Sequence, residues 1–229
     1  MLKSLSTVLV CLGLALNTSA VLASSEDKLA QEAADIIEDL AGIPESGIPA
    51  RLLEDAYAIA VIPGVIKVGL LFGGSRGSGL LVARTPEREW SNPAFITLTG
   101  GSFGLQVGVQ SIDVILVFKE RHSIDNIVNG KVTLGADAAI AAGPVGRRGE
   151  AATDRQLKAQ VFSYSRSKGL FLGISLEGAA LQIDGDANAD FYGQPGINST
   201  TILQDLSLRR PTAARHFIQT LNRYTPKPE

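Results

Sequence analysis

The side chains best suited to covalent or metal chemistry are few. His122 and His216 are the only histidines, and the single cysteine, Cys11, lies inside an apolar N-terminal run. A closed zinc site without cysteines would need several carboxylates. Ser123 adjoins His122, but neighbours in sequence point apart. No Gly-x-Ser-x-Gly elbow follows a strand, because Gly77-Ser78-Gly79 lacks the outer glycine spacing. The run from Gly74 to Gly79 has the wrong glycine order for a dinucleotide loop. Asp184-Gly185-Asp186-Ala187-Asn188-Ala189-Asp190 offers oxygens at alternate positions, as a calcium loop does. Yet Ala189 replaces the turn glycine, and Pro195 stands where the bidentate Glu belongs. The chain therefore reads as non-enzymatic, with no catalytic residue, no metal site and no cofactor.

Binding chemistry is better represented. Arg76, Arg147, Arg148, Arg166 and Lys168 all fall in predicted turns beside glycines. If several of those turns share one end of a sheet, the cations and nearby backbone N–H groups form a phosphate-sized anion site; otherwise they are solvated turn charges. Trp90, the only tryptophan, suits either an interfacial membrane anchor or packing beneath its own loop. From Ser102 to Gln110, Phe103, Leu105, Val107 and Val109 alternate with Gly104, Gln106, Gly108 and Gln110, which predicts one strand with an apolar face and a nearly bare one. Gly104, Gln106 and Gly108 cannot fill a core, so a backbone, a helix or a ligand must lie against them.

The elements that would position these groups follow from periodicity and punctuation. Leu29, Ala33, Ile36, Ile37 and Leu40 recur at helical spacing among Glu32, Asp35, Glu38 and Asp39, predicting an amphipathic helix over 26–40 with an acidic face. Its charge would repel anionic lipid, so it docks on the protein's own core. Gly42 and Pro44 end it, and Pro49 opens a short second helix to Asp55. The Gly73 to Gly79 cluster reads as the turn of a hairpin whose arms are Leu70 to Phe72 and Leu80 to Val82. Ile112 to Phe118 is a strand covered on both faces, in which Asp113 needs a partner. Ser123 caps a brief helix ending at Gly130, and Lys131 to Ala142 resumes a strand pattern. Ala159 to Ser165 and Leu170 to Ile183 read as two strands around a turn from Arg166 to Gly169. The last helix, Pro211 to Tyr224, buries Ala214, Phe217, Ile218 and Leu221. Helices flanking a block of strands give an α+β fold: a central, mostly antiparallel, glycine-rich sheet or half-barrel between N- and C-terminal helices.

Composition limits the partners. The 229 residues are 45% apolar and 19% charged, which excludes a disordered chain, and a formal charge of −2 offers nucleic acid no global attraction. Lys3, the apolar run Leu5 to Leu16 and the ending Val21-Leu22-Ala23 predict a secretory signal peptide over 1–23, with cleavage after Ala20 as the alternative site. Val10 before Cys11 is not the small residue a lipoprotein signal needs. Residues 24–229 then form a single cysteine-free domain, expected to be periplasmic or secreted, with peripheral membrane association as a further expectation.

Several motifs occur together in a familiar order. Pro63, Phe72-Gly73-Gly74, Gly77-Ser78-Gly79, Trp90-Ser91-Asn92-Pro93-Ala94-Phe95, Gly104-Leu105-Gln106-Val107-Gly108, Ala142-Gly143-Pro144-Val145-Gly146, Tyr164 through Leu170, and Asn188 through Tyr192-Gly193 resemble the SYLF domain in order and spacing over 36–193. Residues 194–229 would be a helical extension. The resemblance implies a lipid-binding module, since eukaryotic members bind phosphoinositides and some bind actin filaments. It carries no catalytic residues, and it makes 184–190 a helix entry capped by Asp184 or Asp186. The partner expected here is anionic phospholipid or a membrane surface, with an envelope protein as the alternative.

Overall fold

The computed structural model describes residues 23–41, 47–69, 72–103, 108–145, 158–167 and 170–225. Helix α1 (Ser25–Ala41) leads through the short α2 (Ala50–Glu54) into four long strands, β1 (Ala58–Gly69), β2 (Phe72–Ala83), β3 (Ala94–Phe103) and β4 (Gly108–Phe118). Helix α3 (Arg121–Asn129) and the short strands β5 (Lys131–Thr133) and β6 (Ile140–Ala142) follow. Then come β7 (Val161–Ser167), β8 (Leu170–Gly173), β9 (Ala180–Ile183) and three helices, α4 (Gly185–Tyr192), α5 (Ser199–Gln204) and α6 (Thr212–Tyr224).

The strands form one curled sheet in the order β5-β9-β3-β2-β1-β4-β7-β6, with β8 hairpinned onto β7. Every described pairing between these strands is antiparallel except β6 with β7. This is the α+β half-barrel expected, with helices at both chain ends. Alternation divides the core between the two sheet faces. On the first face Ile59, Val61, Leu80, Val82, Phe95, Ile115 and Val117 pack beneath α1 and α6. On the second, Ile62, Val65, Ile96, Leu98, Val114 and Leu116 pack with Ile124 and Ile127 of α3 and with Ile202 of α5.

The terminal helices follow their sequence stripes. Ala30, Ala33, Ala34, Ile36, Ile37 and Leu40 of α1 are buried while Glu32, Asp35, Glu38 and Asp39 stay exposed. In α6, Ala214, Phe217, Ile218 and Leu221 are buried. Asp184 caps α4 by accepting the Ala187 N–H, so the acidic run 184–190 enters a helix.

Several strand expectations are corrected. The Gly73 to Gly79 cluster is not a turn but part of β2, which begins at Phe72 and pairs antiparallel with β1; 70–71 lie outside the described residues. Gly77 and Gly79 are needed because β1 carries one more residue than either neighbour between Val61 and Ile66, a bulge containing Pro63 and Gly64. Proline is tolerated inside a sheet at such bulges, and Gly64 takes φ +55°, which disfavours a side chain. The bulged chain leans into β2, where a Cβ on Gly79 would lie 2.4 Å from the Val61 carbonyl oxygen. Local propensity favoured a turn; close packing of two backbones overrides it.

The single strand expected over Ser102 to Gln110 is divided between β3 and β4, with 104–107 outside the described residues. Leu170 to Ile183 likewise splits into β8 and β9, which lie far apart in the sheet. Lys131 to Ala142 gives two short strands at opposite edges. Glu120 rather than Ser123 occupies the N-cap of α3, leaving Ser123 buried in the first turn.

Candidate functional site

The cover provided by α1 stops before the sheet does. At the end of α1, Asp39 Oδ2 lies 2.6 Å from Arg166 Nη2, and Arg166 Nη1 lies 3.7 Å from Asp113 Oδ2. Asp113 Oδ1 also accepts the Gly64 N–H at 3.0 Å. Asp113 thus has the partners its strand position demanded, and they fasten β4 to the bulge in β1, to β7 and to α1. A charge-assisted contact of this kind stabilises by about 1.5–3 kcal/mol where partly shielded.

Beyond that seam the first face is uncovered. Register pairs Ile66 with Arg76 and Ser111, and Arg76 with Thr99, forming one cross-strand row. The next row outward holds Gly101, Gly74, Val68 and Val109. Ile66 and Val68 are each 51% exposed and Val109 is 73% exposed, against 0% for Val61, Leu80 and Ile115 before the seam. Arg76 is exposed beside Ile66. Lys67 points to the opposite face between Ser75 and Gln110, and partial burial lowers its ammonium pKa. No ion pair holds Arg76 or Lys67 among the described residues.

The sequence-derived candidates distribute unevenly. Arg76 does lie at this open end, but in mid-strand rather than in a turn. Arg166 is also on a strand, β7, and its guanidinium is engaged by Asp39 and Asp113. Gly108 opens β4 opposite Gly69. Arg147, Arg148, Lys168, Gly104 and Gln106 lie outside the described residues.

Trp90 takes the packing alternative. It is 1% exposed, its Nε1 donates to Thr225 Oγ1 at 2.9 Å, and the Arg84 guanidinium stacks 3.7 Å from the ring centroid. Arg84 also donates to the Thr225 carbonyl oxygen at 2.8 Å. Burial, then neighbouring Arg88, pushes its pKa down to about 10, still charged at neutral pH. A ring so enclosed cannot reach a membrane interface.

Ile66, Val68, Val109 and Lys67 were not singled out from the sequence. Aliphatic strand residues look alike whether covered or bare, and only the lone cation in Val65-Ile66-Lys67-Val68 hinted at an incomplete core. At the other end of the sheet a cavity of about 800 Å³ opens between the 84–87 loop, α3 and α5. It brings together none of the candidate residues. No group of three metal-ligating side chains occurs among the described residues, and no described helix is long and apolar enough to cross a membrane.

Fold and surface together define a helix-flanked, curled-sheet domain whose uncovered end carries aliphatic side chains and cations without an ion pair among the described residues. The profile of the family described as "Ysc84: Las17-binding protein actin regulator" matches residues 99–224. The chain belongs to this Ysc84 (SYLF) family. It is 34% identical over 205 residues to "SH3 domain-containing YSC84-like protein 1" of Xenopus laevis, covering 87% of this chain and 61% of that protein. It is 40% identical over 177 residues to "Protein YSC84" of Saccharomyces cerevisiae, covering 76% of this chain and 37% of that one. Similarity to yeast "LAS seventeen-binding protein 3" is 39% over 149 residues, 64% of this chain and 32% of that protein. The chain thus spans about three fifths of the length of its vertebrate relative and about a third of the yeast ones.

Proposed function

We propose that this chain is an exported, non-enzymatic lipid-binding protein that associates with anionic phospholipid surfaces, periplasmic or secreted once residues 1–23 are removed. The observation that carries this reading is the uncovered sheet end, where Ile66, Val68 and Val109 are 51%, 51% and 73% exposed beside Arg76, which is exposed and has no ion pair among the described residues. Aliphatic area gains from leaving water, and each cation near an anionic surface adds about 1 kcal/mol of attraction. The acidic face of α1 points to solvent and adds nothing to that attraction.

Co-sedimentation of the exported form with phosphatidylglycerol or cardiolipin vesicles at low salt tests the reading. Pelleting should weaken in phosphatidylcholine and at high salt, and Arg76→Ala should lower affinity about fivefold. Failure of the wild-type protein to pellet with either anionic lipid would remove the proposal. A protein partner is the second reading, favoured by the names of the yeast relative and of the family. Recovery of one stoichiometric protein together with indifference to lipid would establish it.

A further inference from the structure

Resting on that reading, we propose that the sheet enters the bilayer tip first, with Val68, Val109 and then Ile66 passing into the acyl layer and Arg76 and Lys67 held at phosphate level. The register sets the order. Val68 and Val109 face one another in the Gly74–Gly101 row of the first face, and Ile66 and Arg76 sit one row back, about 7 Å nearer the protein body. Arg76 has a flexible stem long enough to lay its methylenes beside Ile66 while its guanidinium stays in the headgroup region. Lys67, on the same strand but the other face, is already partly desolvated and lacks a carboxylate partner among the described residues. One strand therefore carries an acyl-facing pair and a headgroup-facing cation on alternate residues.

The composition of this surface favours a bilayer over a protein. Ile66, Val68 and Val109 are aliphatic; the other positions of the valine row are Gly74 and Gly101, and those beside Ile66 are Arg76 and Ser111, so no Tyr or Trp anchor of the kind that dominates protein interfaces is present in these two rows. Three partly exposed aliphatic side chains present on the order of 300 Å², far below the ~800 Å² per partner that a stable dimer buries. A bilayer imposes no such minimum, because immersion surrounds the tip on all sides. The acidic residues on this face, Asp113 and Asp39, share the single guanidinium of Arg166, so that cluster keeps one net negative charge, which Arg76 one row farther out offsets toward an anionic surface.

The form beginning at Ser24 contains no cysteine, which allows single-site labelling with an environment-sensitive NBD probe. Val109→Cys reports on the tip. Glu87→Cys, on the exposed loop after β2, reports on the opposite end of the sheet. With vesicles of equal phosphatidylglycerol and phosphatidylcholine, the probe at 109 should shift to the blue, brighten severalfold and be quenched by acyl-chain nitroxide lipid. The probe at 87 and the buried Trp90 should not change. Val68→Asp with Val109→Asp should weaken sedimentation more than tenfold while urea unfolding stays cooperative, because both side chains are exposed. Wild-type sedimentation without any shift at 109 would overturn tip-first entry and leave lipid binding standing. Absence of sedimentation would end both. A concentration-dependent shift at 109 without vesicles would assign the surface to a second copy of the chain and also overturn the proposal.

Discussion

Substituting alanine at Gly79 should destabilise the fold, although alanine in a strand ordinarily stabilises relative to glycine by about 0.5–1 kcal/mol through lost unfolded-state freedom. The reversal comes from the bulge. A Cβ on Gly79 would lie 2.4 Å from the Val61 carbonyl oxygen and 2.8 Å from Ile62 Cα, main-chain atoms that no rotamer change can move. Relief requires β1 and β2 to part or the bulge to be rebuilt, which places the cost near the upper end of the ~1–3 kcal/mol seen for overpacked cores. At Gly77 the nearest atoms are methyls, Val65 Cγ2 at 2.8 Å and Ile62 Cγ2 at 3.0 Å, so part of the strain can be released and about 1 kcal/mol is expected. Gly101 supplies the opposite sign. No atom lies within 4 Å of its added Cβ, and Gly101→Ala should stabilise by about 0.5 kcal/mol. Urea unfolding followed by circular dichroism should rank the midpoints Gly101→Ala, wild type, Gly77→Ala, Gly79→Ala, at constant m-value. A Gly79→Ala midpoint at or above wild type would refute the idea that the bulge occupies the space of absent side chains.

Asp113→Ala strips an acceptor from the Gly64 N–H and a counter-ion from Arg166, and it should cost about 1–2 kcal/mol in the same urea assay. Asp113→Asn keeps the acceptor and should lose less than half as much; equal losses would show that the bulge does not depend on that hydrogen bond. Alkaline stability should decline because burial raises the pKa values of Tyr164 and Tyr192 above the ordinary 10.0. Above about pH 10 the unfolded chain releases phenolic protons that the folded one retains, so stability is full below that pH and is lost as pH rises. Arg84, pushed down to about 10, has the opposite sign and offsets part of the decline. Tm measured at pH 8 and pH 10.5 should therefore fall in the wild type and fall less in Tyr192→Phe; an unchanged slope would show that Tyr192 does not drive it.

The helices and the doubly covered strand were legible because their signals are local. Ala33, Ile36, Ile37 and Leu40 define a 3.6-residue stripe whatever they pack against, and the apolar run Val114 to Phe118 can exist only where both faces are covered. Strand β2 was not legible, since Gly73, Gly74, Gly77 and Gly79 carry turn propensity and their strand role depends on a bulge in another segment. The split of Ser102 to Gln110 was equally hidden: unbroken alternation gives no sign that the first residues pair with β2 and the last with β1. At the candidate site Arg76 was legible as a binding residue but not its setting. Trp90 could have been anchor or core, and only the hydrogen bond to Thr225, which lies 135 positions away, decides it. Ile66 and Val68 escaped notice, and Val109 was read only as part of an apolar strand face, because their exposure depends on where α1 ends, at which only Lys67 within β1 hints.

The bulge, the end of α1 and the Arg166 contacts meet at one level of the sheet, and that coincidence restricts what the open end can do. Below the seam, Val61, Leu80 and Ile115 are fully buried under the terminal helices. Above it, only a few cross-strand rows extend outward. Asp39, Arg166, Asp113 and the Gly64 N–H form a polar belt between the two regions, with Asp39 itself about half exposed. Drawing a partly hydrated charge network into hydrocarbon costs several kcal/mol per ion, even when the ions are paired. Val109 and Asp113 lie four strand steps apart, or about 13 Å along β4, slightly more than the ~5–10 Å to which interfacial apolar surfaces sink. The belt would therefore oppose immersion beyond that level, leaving the helix-covered core in water. On the proposed reading, a surface that binds without spanning would follow from where the chain places its charges, as well as from the limited aliphatic area beyond them.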